Sequence, residues 1–138
     1  MTERMQRFFA ERGLEYNPHP DVVPNSRDAL RLTELARDLG RHAALHGRLM
    51  DAYWADAKDI GDHGVLRAEA AAAGLPADEV EDVLGSERYL DRVHASTREA
   101  YGVGANAVPA FVLDRRLLVL GAQPEEVFEQ AFSQLAAP

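Results

Sequence analysis

For the first hundred residues apolar positions recur at helical spacing; only afterwards do they cluster as in strands. Residues 2–12 fit one short helix ending at Gly13, and an extended loop follows because Pro18, Pro20 and Pro24 are too closely spaced for a helix interior. Asn25 or Ser26 caps a long helical region whose Leu32, Leu35, Ala36 and Leu39 form one stripe at i, i+3, i+4 and i+7. Gly40 ends or bends it, and Leu45, Leu49, Ala52 and Tyr53 carry a second stripe to about Asp56. Asp59 or Asp62 caps an alanine-rich helix that runs through Ala73 and stops at Gly74. Pro76 sits in the first turn of a short helix bearing Val80, Val83 and Leu84. Ser86 caps another, with Leu90, Val93, Thr97 and Ala100 inward and Gly102 and Gly104 closing it.

Strands are expected at about 110–114 and 117–121, joined through Asp114-Arg115-Arg116 as a hairpin. Pro124 opens a final helix with Glu125 and Glu126 in its first turn and an apolar face of Phe128, Ala131, Phe132 and Leu135. The fold class expected is α+β, mostly α, with the helices first and then a hairpin and a helix. Trp54, Tyr53, Phe8, Phe9, Phe128 and Phe132 are read as core rather than as a ligand cage.

Composition narrows the chemistry. A length of 138 residues suits one domain, and 46 % hydrophobic with 28 % charged residues is the balance of a globular chain. A net charge of −8, with no basic run beyond Arg115-Arg116, argues against nucleic acid or an anionic membrane as partner. No stretch of about 18 apolar residues is present, and the charged N-terminus does not suit a signal peptide. There is no cysteine, which removes disulfides and thiolate metal sites and fits a cytoplasmic location.

Few polar constellations suggest chemistry. Asp38, His42 and His46 recur at i, i+4 and i+8, but without the His-Glu-x-x-His pattern and with Gly40 between, so they are read as a solvated face and no metal is expected. His94 near Ser96 lacks a Gly-x-Ser-x-Gly turn, and Gly102-Val103-Gly104 lacks the third glycine and the following helix of a phosphate loop. His19 and His63 are given no role, and no cofactor is expected.

Three strings carry a resemblance: Pro24-Asn25-Ser26 leading into Ala29-Leu30-Arg31-Leu32; Asp51-Ala52-Tyr53-Trp54 followed by Asp59-Ile60; and Gly102-Val103 through Val108-Pro109-Ala110-Phe111-Val112 to Gly121-Ala122-Gln123-Pro124. With them the chain resembles the DsbA-like thioredoxin family, in its FrnE-type branch related to 2-hydroxychromene-2-carboxylate isomerases. The resemblance implies that residues 1–104 are a helical insertion domain with a lead-in helix. Residues 105–138 would then be the last β-hairpin and helix of a thioredoxin-like core, making that core partial. It further implies a cis Val108–Pro109 bond, with the N–H and C=O of Val108 free to pair with an extended substrate, and a ligand contact at Asn25 or Ser26. A helix cap is the plainer role for Asn25.

The family's Cys-x-x-Cys stands on a strand–helix–strand unit that needs about 30 residues or more. Residues 1–25 contain no β-rich run, so that unit is expected to be absent. Without it Phe111-Val112-Leu113 would be an exposed edge, and a homodimer through that edge is expected. The lineage is thiol–disulfide oxidoreductase, but thiol exchange cannot run without a thiolate. A non-catalytic dimeric or peptide-binding module and a glutathione-linked isomerase relative stand as alternatives.

Overall fold

The computed structural model describes residues 2–17 and 21–137, so Pro18, His19 and Pro20 of the proline loop lie outside the described residues. Seven helices and two strands are seen among them: α1 Thr2–Ala10, α2 Arg27–Asp38, α3 His42–Trp54, α4 His63–Ala72, α5 Ala77–Gly85, α6 Leu90–Gly102, β1 Ala110–Leu113, β2 Leu117–Leu120 and α7 Glu125–Ala136. The fold class is α+β, mostly α. Two compact units divide the chain, one within Met1–Val93 and the other within His94–Pro138.

In the first unit α2 packs on α3 and α5, and α4 packs on α3 and α5. Leu32, Leu35, Leu45, Leu66 and Val83 are fully buried at the centre of this bundle, and each contributes about 1.5–3 kcal/mol of burial free energy. The helices stop where glycine allows a left-handed residue. After α2, Gly40 takes φ +67°, its N–H donates to Arg37 C=O (3.2 Å), and the Arg41 N–H donates to Ala36 C=O (2.7 Å). That is a Schellman ending, which satisfies two otherwise orphaned carbonyls. Gly74 closes α4 the same way, with its own N–H on Ala71 C=O and the Leu75 N–H on Ala70 C=O, both 3.0 Å. Asp62 caps the start of α4, accepting from the Val65 N–H at 2.9 Å.

Several local expectations need correction. Ser86 does not cap α6; its hydroxyl donates to Asp82 C=O (2.6 Å) and accepts from the Arg88 N–H (3.1 Å), and α6 begins only at Leu90, after Tyr89 at φ +68°. The turn is tight because the Arg31 guanidinium, 4 % exposed, donates to the carbonyls of Val83, Ser86 and Arg88. Pro76 is the N-cap of α5 rather than a first-turn residue, and α3 ends at Trp54. Leu39 is exposed because it is the C-cap residue, where α2 gives way to Gly40. Thr97 is exposed, and α6 buries no residue at all. Phe8 and Phe132 are also surface rings; the Arg12 guanidinium lies 3.7 Å from the centroid of Phe8.

In the second unit β1 and β2 form an antiparallel pair in the register Ala110↔Leu120, Phe111↔Val119, Val112↔Leu118, Leu113↔Leu117. Both strands stop one residue sooner than expected, because Asp114 (φ +50°) and Gly121 (φ +78°) leave the extended region. Asp114 and Arg115 (φ +53°) are the two central turn residues, and the Arg116 N–H donates to Leu113 C=O at 3.0 Å. Two successive positive φ values are the mark of a type I′ turn, which suits the twist of a hairpin. On one face of the hairpin Phe111 meets Phe128 of α7 edge to face, 5.0 Å between centroids.

Candidate functional site

The loop after α6 delivers Val108 and Pro109 to the start of β1, and the peptide bond between them is cis. Val108 is 93 % exposed, and neither its N–H nor its C=O is hydrogen-bonded among the described residues. Pro109 C=O accepts from the Gly121 N–H at 2.7 Å. In an antiparallel ladder bonded and non-bonded pairs alternate. Phe111↔Val119 and Leu113↔Leu117 are therefore the bonded pairs, and the N–H and C=O groups of Ala110 and Val112 point to the outer edge. The sheet is two-stranded among the described residues, so that edge is open. Val108, Ala110 and Val112 thus offer backbone donors and acceptors in sequence, beside the half-exposed side chains of Phe111 and Val112. Chemically, this arrangement can add a strand.

Asn25 lies in the first unit, Val108 and Pro109 in the second. Its Oδ1 accepts from the Arg27 N–H at 3.0 Å, which satisfies a first-turn donor of α2, while the Ser26 side chain makes no cap bond. Gly61 packs so closely that a Cβ there would come within 3.2 Å of the Asn25 backbone. Nearby, Asp28 Oδ2 lies 2.9 Å from His63 Nε2 and Asp28 Oδ1 lies 3.0 Å from Arg31 Nη1. Burial alone would raise the Asp28 carboxyl, but hydrogen bonds from His63 and Arg31, with the charges of Arg31 and Arg27, hold it below the ordinary carboxylate range. The helix wheel held a signal for this network. Asp28, Arg31 and Leu35 share one stripe of α2, which places a charged pair on the buried face.

The remaining constellations do not converge. Asp38 binds Arg92 (2.8 Å) and accepts from the Tyr89 hydroxyl (2.9 Å), contacts that lower its carboxyl. His42 and His46 stack with ring centroids 5.7 Å apart, and Arg37 Nη2 sits 3.4 Å from His42 Nε2. Among the described residues no three metal-ligating side chains come together. His94 and Ser96, two apart on α6, do not share a face.

A family model, the DSBA-like thioredoxin domain, matches residues 1–133. The chain belongs to that family. A solved structure similar to it is that of a probable DsbA oxidoreductase, SCO1869 from Streptomyces coelicolor. It is 40 % identical, has a TM-score of 0.86, and the match covers 96 % of this chain and 58 % of that one. The uncharacterized protein YwbO of Bacillus subtilis (strain 168) is 27 % identical over 132 residues, 94 % of this chain and 65 % of that protein. This DsbA-like chain therefore spans less than two thirds of the length of either relative. No helix among its described residues is long and apolar enough to cross a membrane.

Proposed function

We propose that this chain is a polypeptide-binding module of the thiol–disulfide oxidoreductase lineage, of the FrnE-type branch, that holds an extended segment along the outer edge of β1. The observation that carries the reading is the free, exposed Val108 backbone, continuous with the open edge groups of Ala110 and Val112. Main-chain hydrogen bonds would supply affinity and alternate side chains would supply selectivity. Disulfide exchange requires a thiolate, and this sequence has no cysteine. In this reading the thiols reside on residues beyond this sequence or on a separate chain, and the cysteine-free composition suits the cytoplasm. Asn25 remains a candidate ligand contact through its amide nitrogen, since its oxygen is used by the α2 cap.

A second reading rests on the lack of charge on β1. None of Ala110, Phe111, Val112 or Leu113 is charged, so two copies can pair through this edge without local repulsion despite a net charge of −8 each. The test is titration of the 138-residue chain with an extended Val/Thr hexapeptide, followed by amide NMR and sedimentation. Shifts concentrated at Val108, Ala110 and Val112 are expected. Concentration-dependent doubling of mass without peptide would favour the homodimer as occupant. Saturating peptide that leaves these amides unmoved in a monomeric chain would overturn both readings.

A further inference from the structure

Val112 and Leu118 lie on the face of the hairpin opposite Phe111. With the hairpin turn and the C-terminal half of α6 they line a cleft of about 760 Å³ within the second unit, in the size range of small-ligand sites. Val103, Val112 and Leu118 give it apolar walls, and the first two are about half exposed, so apolar surface is left open to water. Its charged lining residues are Arg115, Arg116 and Glu99. Two cations against one anion leave a local charge of +1 on a chain that carries −8 overall.

The two arginines differ. Arg116 has local partners, with Nη1 3.4 Å from Leu135 C=O and 3.8 Å from Asp114. Arg115 has no ion pair or hydrogen-bond partner for its guanidinium among the described residues. It also occupies a left-handed position (φ +53°), where a Cβ is unfavourable and glycine would be free of strain. A free planar cation in the lining of a partly apolar cleft is matched to a carboxylate.

We propose that this cleft binds an apolar monocarboxylate, a hydrocarbon body lying against Val103, Val112 and Leu118 with its carboxylate on Arg115. Glu99 disfavours a second negative charge on the ligand, which makes a monoanion the better match. The reading is independent of polypeptide addition at the β1 edge, because it uses the face of the hairpin and needs no strand partner.

Decanoate is the probe, titrated against the full chain by calorimetry and amide NMR. Saturable 1:1 binding is expected, with shifts at Val103, Val112 and Leu118, and decylamine, with the same tail and opposite charge, should bind at least ten-fold more weakly. Arg115→Gly removes the cation while suiting the left-handed turn, so it should fold as well as the parent and lose at least ten-fold in decanoate affinity. Absence of saturable binding, equal affinity for decylamine, or unchanged affinity in a folded Arg115→Gly would each overturn the proposal.

Discussion

The two compact units use their apolar residues in opposite ways. In the first, the stripes of α2, α3, α4 and α5 meet one another, and Leu32, Leu35, Leu45, Leu66 and Val83 have essentially no contact with water. In the second, only Val119 and Ala131 are buried among the described residues, while Tyr101, Val103, Val112 and Phe132 each keep about half or more of their surface exposed. The helices of the second unit form on good local grounds, with glutamates at the positive end of α7 and a Schellman ending at Gly104. A two-stranded hairpin is marginal by itself, however, and a segment of this size rarely encloses a core alone. Local structure and buried core are therefore separate achievements. The first unit has both, and the second keeps the β1 edge and much apolar surface exposed.

The largest expected effect that bears on this contrast is a pair of truncations. Leu66→Ala in the first unit should cost about 3–5 kcal/mol in urea unfolding, because a fully buried side chain leaves a cavity. Phe132→Ala, a larger deletion on the exposed face of α7, should cost well under about 1 kcal/mol. Comparable losses from the two would mean that the second core is as complete as the first.

A smaller effect sharpens the account of the first unit. Asp28 is held below the ordinary carboxylate range by its bonds to His63 and Arg31 despite burial, so its ionised form stabilises the fold. Because the folded value is depressed, this contribution is present above the unfolded carboxylate pKa and is lost as pH falls through the folded one. Asp28→Asn should therefore lower stability by about 1–3 kcal/mol at neutral pH. The gap between variant and parent should narrow below about pH 4 in chemical denaturation. A gap independent of pH would show that the Asp28 charge does not support the junction of α2, α4 and the α5–α6 turn.

Much of the architecture is legible in the residues. Gly13, Gly40, Gly74 and Gly104 mark helix ends because each takes a positive φ that completes a Schellman motif. The hairpin is legible from two apolar runs flanking a three-residue polar turn. The failures share a different cause. The late start of α6 depends on Arg31 reaching carbonyls more than fifty positions away, and no local pattern specifies such a contact. Likewise, periodicity showed that Phe132 lies on an apolar face, but only packing decides whether anything covers that face. At the candidate site, Val108-Pro109 and Asn25 could be named from their strings. The alternation that turns Ala110 and Val112 outward, and the free Arg115 on a left-handed turn, required the register and the φ angles.

The most direct test of the contrast is native-state hydrogen exchange across the whole chain at high dilution. The account predicts that the slowest amides of Leu32, Leu45, Leu66 and Val83 exchange only through global opening of the first unit. Phe111 and Val119, which form a bonded pair of the hairpin, should exchange through an opening cheaper by at least about 2 kcal/mol. Equal opening free energies in β1, β2 and the helical bundle would contradict it.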